Sequence, residues 1–431
     1  MKRILYISHC LPYPPDKGER TRAFHEIRAL SGQFRVTLAC LARDGQSPRQ
    51  VEPLRSFCEA VVVGRATKLW GLLRGAAGLL GGRSVTESLC RSGRLARRLG
   101  RLCVGAAYDL VVGYSSAVLP YVLSARASAR VMDLVDIDSL KWRSYAERAH
   151  GFKSLMLRRE WRLVADLERR ALEDCDAVVV VCGREAEAVA LRTEKLHVIA
   201  NGVDTDYFQP LGSAADAPPS VAFLGTMSYR PNAEAVCWFA ANVWPALRRE
   251  FPDARFFIVG RDPPRRVREL GAVAGITVTG TVPDVRPYIS SSRVAVAPLQ
   301  MARGVQNKVL EAMAMARPVV ASAAAIGGLD ACACAGLIEA RTPAKWVGVL
   351  SMLLRDGKLC ADLGNGARRT VLRNYDWDAC MEGLVALCRR LSERHNGARQ
   401  VETGAAGGMG CRGKHENHPA APARLVESGR Q

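Results

Sequence analysis

The chain contains no apolar run approaching the roughly 18 residues that a membrane-spanning helix needs. Nor do any of its 14 cysteines form a Cys-x-x-Cys pair. They are scattered, mostly inside apolar segments, as Cys40, Cys103, Cys182 and Cys388 are, which argues against a zinc ribbon or a disulfide framework and for reduced thiols in the cytoplasm. Aromatic residues are scarce, at 6%, and do not interleave the basic clusters, so no stacking platform for nucleic acid is present. Acidic residues are also in short supply: 42 Asp and Glu against 61 Lys and Arg leave a formal charge of +19 and favour an anionic partner. The opening run Met1-Lys-Arg-Ile-Leu-Tyr-Ile-Ser8 carries no cleavage pattern, so a cytoplasmic protein is expected.

What the sequence does hold is enough apolar material for two cores. A chain of 431 residues with 48% hydrophobic content has room for two domains of ordinary size. Strand-like runs at 3–8, 35–41, 60–63, 109–114, 129–135, 177–181 and 196–200 alternate with helical segments. A Pro/Ala/Ser-rich linker at 210–220 separates them from a second series at 221–224, 254–259, 276–280 and 294–297. This pattern predicts an α/β protein with domains at 1–200 and 201–375, a last helix at 376–395 and a disordered tail from 396. In open α/β sheets ligands bind at strand C-termini, so the loops there are candidate sites. Gly18 follows the first strand, Gly225 opens Gly-Thr-Met-Ser-Tyr-Arg-Pro-Asn232, and Gly260 and Val282 follow the next two strands.

Residues 65–101 differ in kind. Nine basic residues (Arg65, Lys68, Arg74, Arg83, Arg91, Arg94, Arg97, Arg98, Arg101) face the single acid Glu87 among Leu, Ala and Trp70. That is the composition of helices lying on an anionic membrane surface, and equally of a solvated basic helix pair. A second basic helix runs from Lys153 to Arg170. Between them Asp133-Leu-Val-Asp-Ile-Asp138 places three carboxylates at one strand end. Asp136 and Asp138 match an Asp-x-Asp metal motif only formally, because two acids at that spacing are common, and Asp138 or Ser139 also suits a helix cap.

The most informative stretch is Arg303-Gly-Val-Gln-Asn-Lys-Val-Leu-Glu-Ala-Met-Ala-Met-Ala-Arg-Pro-Val-Val-Ala-Ser322, read as a glycine turn, a helix and a buried strand. A helix N-terminus at Gly304, with Val305, Gln306 and Asn307 in its first turn, would offer backbone N–H groups to a phosphate, and Arg303 and Lys308 add charge beside it. Glu311, three residues after Lys308, lies where a carboxylate can accept hydrogen bonds from a ribose diol. An amphipathic helix with a Lys308–Glu311 surface pair fits the same residues.

Leu310-Glu-Ala-Met-Ala followed by Pro318-Val-Val resembles the nucleotide-sugar signature of retaining glycosyltransferases of the GT-B fold, family four. Arg303-Gly-x-Gln-Asn-Lys-x-Leu-Glu311 is similar to the exosortase-associated (PEP-CTERM) exopolysaccharide sugar transferases, with Arg303 where the wider family has a glutamate. Asn201-Gly-Val-Asp204 resembles the family's hinge. The resemblance implies two facing Rossmann-like domains, a last helix crossing back to the first, and retaining transfer of a sugar from a nucleoside diphosphate. No cofactor or metal is implied. Arg303, Lys308 and Asp136 would carry catalysis. Gly18, Gly225, Arg230, Gly260, Val282, Gly304, Val305, Gln306, Asn307 and Glu311 would hold the donor. A lipid-linked or saccharide acceptor and a peripheral position on the inner membrane face complete the expectation. A sugar-nucleotide epimerase of the same fold, or a silent membrane- or nucleic-acid-binding scaffold, are the rival readings.

Overall fold

A computed structural model describes residues 1–15, 18–43, 45–105, 107–189, 193–212, 215–302, 304–329 and 335–406. Arg303 and the segment from 407 onward lie outside the described residues.

The first half builds β1 (Arg3–Ser8), α1 (Gly18–Ser31), β2 (Arg35–Ala42), β3 (Ala60–Arg65), α2 (Lys68–Leu80), α3 (Val85–Leu89), α4 (Gly93–Gly105), β4 (Tyr108–Tyr114), β5 (Ala127–Val135), α5 (Asp138–Glu147), α6 (Gly151–Asp174), β6 (Ala177–Val180) and β7 (Leu196–Val198). Its strands lie in the order β3-β2-β1-β4-β5-β6-β7, and every pairing is parallel. Strands such as Ile4–Ile7 and Val178–Val180 are buried on both faces, which is why they read as unbroken apolar runs instead of alternating ones.

The second half repeats the plan with β8 (Ser220–Leu224), α7 (Arg230–Asn242), β9 (Arg255–Val259), β10 (Ile276–Gly280), β11 (Val294–Ala297), α8 (Asn307–Ala314), β12 (Val319–Ala321), β13 (Leu337–Glu339), α9 (Pro343–Arg355), α10 (Gly357–Asn374) and α11 (Trp377–Ala406). The order is β10-β9-β8-β11-β12-β13, again parallel. In both sheets the strand order reverses beside the first strand, and the crevice at that reversal is where such sheets bind ligands. Asp356 separates α9 from α10 and caps the latter, its Oδ1 accepting from Leu359 N at 2.9 Å.

Trp377, Met381, Leu384, Cys388 and Leu391 of α11 share a core with Ile4, Tyr6 and Ile27 of the first half. The last helix therefore crosses back to the first domain, as GT-B proteins require. Two strands of chain join the halves and are clasped to each other: Val203 N donates to Tyr375 O at 2.8 Å, and Thr205 Oγ1 to Asp376 Oδ2 at 2.6 Å. A Cβ on Gly202 would lie 2.6 Å from Trp377 Cα, so only glycine permits that crossing.

Candidate active site

The site begins at α8. The helix starts at Asn307, three residues later than the sequence reading placed it, with Gln306 as an extended N-cap. Gly304 adopts φ +58 and forms a left-handed turn ahead of the helix, not its first residue. Val305 is buried and Gln306 half-buried behind that turn. Lys308 is half-buried, and its Nζ donates to Asn232 Oδ1 at 2.6 Å while lying 5.1 Å from the Phe223 ring centroid. Asn232 is itself buried and fixed from its other end, Nδ2 donating to Thr226 O at 2.9 Å. Burial pulls Lys308 down to about 8, opposed by Glu311; burial raises Glu311 to about 7, opposed by Lys308.

Behind this pair, the loops after β8 and β9 touch. Gly225 and Gly260 have φ of 155 and 152; a Cβ on Gly225 would fall 2.6 Å from Asn232 Nδ2, and one on Gly260 would fall 1.8 Å from Gly225 O. The two glycines let the loops close on Asn232, and Asn232 in turn aims the lysine.

The opposite wall comes from the first domain. Gly18, Thr21 and His25 of α1 face Asn307 and Glu311 across a cleft of about 460 Å³, closed at its end by the hinge residues Gly202–Asp204, by Tyr207 and Phe208, and by Val285 and Trp377. The Cβ position of Gly18 is 3.8 Å from Asn307 Nδ2. Asn307 Oδ1 is buried and has no hydrogen-bond partner among the described residues, an acceptor left for something in the cleft. His25 stacks on Trp377, with ring centroids 4.4 Å apart, and burial lowers it to about 4, so it is a neutral imidazole near pH 7. At the hinge end, Arg286 lies 4.0 Å over the Tyr207 ring and is paired with Asp284 at 2.8 Å.

Of the three carboxylates at the end of β5, one is spent internally. Asp133 is buried and bound by Arg22 at 2.7 Å; Arg22 also pairs with Glu26 at 2.8 Å and donates to Ile199 O, Ala200 O and Asn201 Oδ1. Burial, with Asp133 beside it, raises Glu26 well above the usual carboxylate range. Val135 then takes φ +66, rare for a β-branched residue, at a bulge in the β5–β6 pairing. That turn sends Asp136 out toward the second domain. A Cβ on Gly304 would lie 2.2 Å from Asp136 Oδ1, so the carboxylate fills the space a side chain there would occupy. Burial, with Glu185 and Asp138 nearby, raises Asp136 to about 7. Asp138 starts α5 and pairs with Lys141 at 3.7 Å, while Glu185 and Glu168 accept from Ile137 N and Ser139 N. Among the described residues no group of three His, Cys, Asp or Glu is placed to hold a metal ion.

Gly18, Asn307 and Glu311 therefore line one cleft, with Lys308, Gly225 and Gly260 behind it, while Asp136 meets Gly304 in the turn ahead of α8. Val282 is half-buried in the loop after β10, which leads to Val285 in the cleft wall. Arg230 is not among them: it is exposed, tied to Glu234, and lines a separate hollow with Tyr145, Lys153 and Met301. Its place at the first turn of α7 points it away from the lysine that Asn232 holds. Asn232 and His25 were given no role in the sequence reading. The only signal for Asn232 is that a half-buried lysine needs an acceptor, and the only one for His25 is its position about two turns into α1, on the face of Gly18 and Thr21.

Comparison with known proteins fits this geometry. Residues 18–207 match the family model described as Glycosyltransferase Family 4, and residues 218–356 match Glycosyl transferases group 1. Each of the two halves thus has its own family match. It is 36% identical over 255 residues to the D-inositol 3-phosphate glycosyltransferase of Salinispora arenicola (strain CNS-205), a match covering 51% of this chain and 55% of that protein. The chain so spans about half the length of that curated relative. In three dimensions it resembles sucrose-phosphate synthase of Thermosynechococcus elongatus, with a TM-score of 0.68 at 18% identity over 91% of this chain and 99% of that one. HepE of Anabaena, solved with UDP and glucose, gives 0.63 at 15% identity over 90% and 100%. At such identities these likenesses establish the fold.

Proposed function

We propose that the protein transfers a sugar from a nucleoside diphosphate donor to a lipid-linked or saccharide acceptor, as a step in building an exopolysaccharide. The observation that carries this reading is the cleft lined by Glu311 and Asn307 on one side and by Gly18 at the start of α1 on the other, with the Asn232-bound Lys308 next to Asn307 on α8. Glu311 is placed to accept from a ribose diol, and Lys308 to sit beside the diphosphate. As the glycosidic bond breaks, negative charge grows on the leaving diphosphate; Lys308, with Arg303, stabilises it, and removing one such preorganised donor costs on the order of 100- to 1,000-fold in rate. Transfer with retention and without a metal ion belongs to the same proposal, since the leaving phosphate can accept the acceptor's proton. Asp136, beside Gly304 in the turn ahead of α8, would face the acceptor. The relatives support the donor class: structures of HepE hold UDP and UDP-glucose. The basic surface of α2–α4 would place the enzyme on an anionic membrane, at its inner face.

A panel of nucleoside diphosphate sugars tests this by binding and by slow donor hydrolysis. Saturable binding of at least one, weakened by Glu311→Gln, is expected; no binding across the panel overturns the reading.

A further inference from the structure

Helix α2 is packed inside out. Its glycines face the protein: a Cβ on Gly71 would fall 2.7 Å from Leu89 Cδ2, one on Gly75 3.0 Å from Val85 Cγ1, and one on Gly78 2.9 Å from Ser88 Oγ. Glycine at three- and four-residue spacing lets α3 lie directly on the α2 backbone, at a cost in helix propensity of roughly 1 kcal/mol per glycine. In the first half of the helix the large residues face outward instead, and only Leu79 near its end is buried among the described side chains. Leu69, Trp70, Leu72 and Leu73 are 69%, 60%, 47% and 57% exposed. A helix of a water-soluble domain normally does the opposite, burying its leucines and exposing its small or polar residues. The arrangement is therefore that of a helix whose outer face meets an apolar phase.

Two neighbouring features say which phase. Beside α2 lies a hollow of about 470 Å³ lined by Arg74, Arg83 and Arg91, with Glu87, Ser92 and Tyr121. The lone acid of the segment, Glu87, is buried and lies 3.9 Å from Arg91, which leaves the other exposed cations of α2–α4 without a local counter-charge from acidic side chains of their own segment. Second, the N-terminal half of α6 repeats the theme: Phe152, Leu155 and Met156 are 76%, 64% and 40% exposed, on the same helical face as Arg159, whose Nε donates to Leu79 O at the end of α2. Glu160, the acid in that half of α6, is spent on Val85 N and Thr86 N. Outward leucines, a tryptophan and cations at their margin match the acyl–headgroup boundary of an anionic bilayer.

We propose that α2, assisted by the start of α6, inserts its outer face into the surface of an anionic phospholipid bilayer, with the Arg74–Arg83–Arg91 hollow taking lipid phosphate. This rests on the membrane reading above and adds a mode: the protein is held by apolar insertion, not by charge alone. Attraction by charge is lost in salt, whereas insertion survives it.

The test uses the full chain with vesicles of phosphatidylcholine, with and without phosphatidylglycerol. Sedimentation with anionic vesicles is expected at low salt, and a bound fraction should persist at about 1 M salt. Leu69→Gln, Leu72→Gln and Leu73→Gln combined should lower binding about tenfold and abolish the salt-resistant fraction, with the melting temperature unchanged because all three side chains are already exposed. Brominated acyl chains should quench parent fluorescence, and Trp70→Phe should remove most of that quenching. Arg74→Gln, Arg83→Gln and Arg91→Gln combined should abolish the preference for anionic over neutral vesicles. Equal sedimentation of the parent and of the protein with Leu69, Leu72 and Leu73 all replaced by Gln, or parent binding fully released by salt without quenching, overturns the proposal. Donor hydrolysis measured without vesicles separates this outcome from the function itself. A parent that hydrolyses donor but ignores vesicles sinks the insertion alone; one that binds vesicles but no donor sinks the transferase reading and leaves the insertion standing.

Discussion

Lys308 and Asn232 act as one unit: the ammonium of α8 reaches 2.6 Å from the side-chain carbonyl at the start of α7, and that amide is anchored in turn on Thr226 O. A half-buried lysine held by a neutral acceptor keeps its charge only up to about pH 8. Donor affinity should therefore fall as pH rises through about 8. Asn232→Ala removes the acceptor, costs roughly 1.5–3 kcal/mol of a charge-assisted bond, and should move that fall to lower pH. Titration calorimetry with the donor at a series of pH values checks it; superimposable profiles for the two proteins would show that Asn232 does not govern the lysine.

Glu311 carries a stability cost that serves binding. Burial raises its pKa from 4.5 to about 7. Because the folded value lies above the unfolded one, the folded state gains from proton uptake below about pH 4.5, and this gain is lost as pH rises to about 7. Glu311→Gln should thus raise the ligand-free melting temperature at pH 8, by the equivalent of about 1–2 kcal/mol once partial exposure is allowed for, while weakening donor binding. A variant that is no more stable than the parent at pH 8 would refute the first half, and unchanged donor affinity the second.

Gly304 and Asp136 make a paired test. Gly304→Ala puts a methyl group 2.2 Å from Asp136 Oδ1 and strains a backbone at φ +58. We expect a loss of about 1–3 kcal/mol in stability and a larger loss in turnover. Adding Asp136→Ala should recover the steric share of the stability without recovering turnover. Calorimetry on the two single variants and the double variant reads the coupling; strict additivity of the melting shifts would mean the two residues do not meet.

Arg22 is a structural cation. Replacing it with Met leaves Asp133 and Glu26 facing each other in the core, a loss on the order of 3–5 kcal/mol. Arg22→Lys should recover little of it, since one ammonium cannot reach Asp133, Glu26 and the Ile199–Asn201 carbonyls together. Urea midpoints decide.

Much of this was legible in the sequence, and what was not has physical causes. Parallel strands announce themselves as apolar runs, so both sheets were visible, and the Glu311 helix carried its own spacing. Gly304 was placed at the helix start because periodicity does not report φ; the left-handed turn and the extended Gln306 shift the start to Asn307. Arg230 was expected at the diphosphate from its loop position, but an exposed arginine four residues before Glu234 on a helix finds that partner first. Asp133 read like its neighbours Asp136 and Asp138, yet strand alternation and the bulge at Val135 send it inward to Arg22, a partner 111 residues away that no local pattern reveals. The charge of α2–α4 was plain, whereas its outward leucines were not: in a sequence, a glycine face and a leucine face have the same period, and only packing says which one is covered.

The clasp between the two linking segments sets the mechanics of the whole protein. Tied at Val203–Tyr375 and Thr205–Asp376, with Trp377 seated on Gly202, the outgoing and returning chains form a single axle in place of two loose tethers. Two tethers would let the halves tilt, slide and twist independently; one axle leaves mainly rotation. The His25–Trp377 stack fixes one end of that axle to α1, so the first half carries the pivot and the second half is the part left to swing.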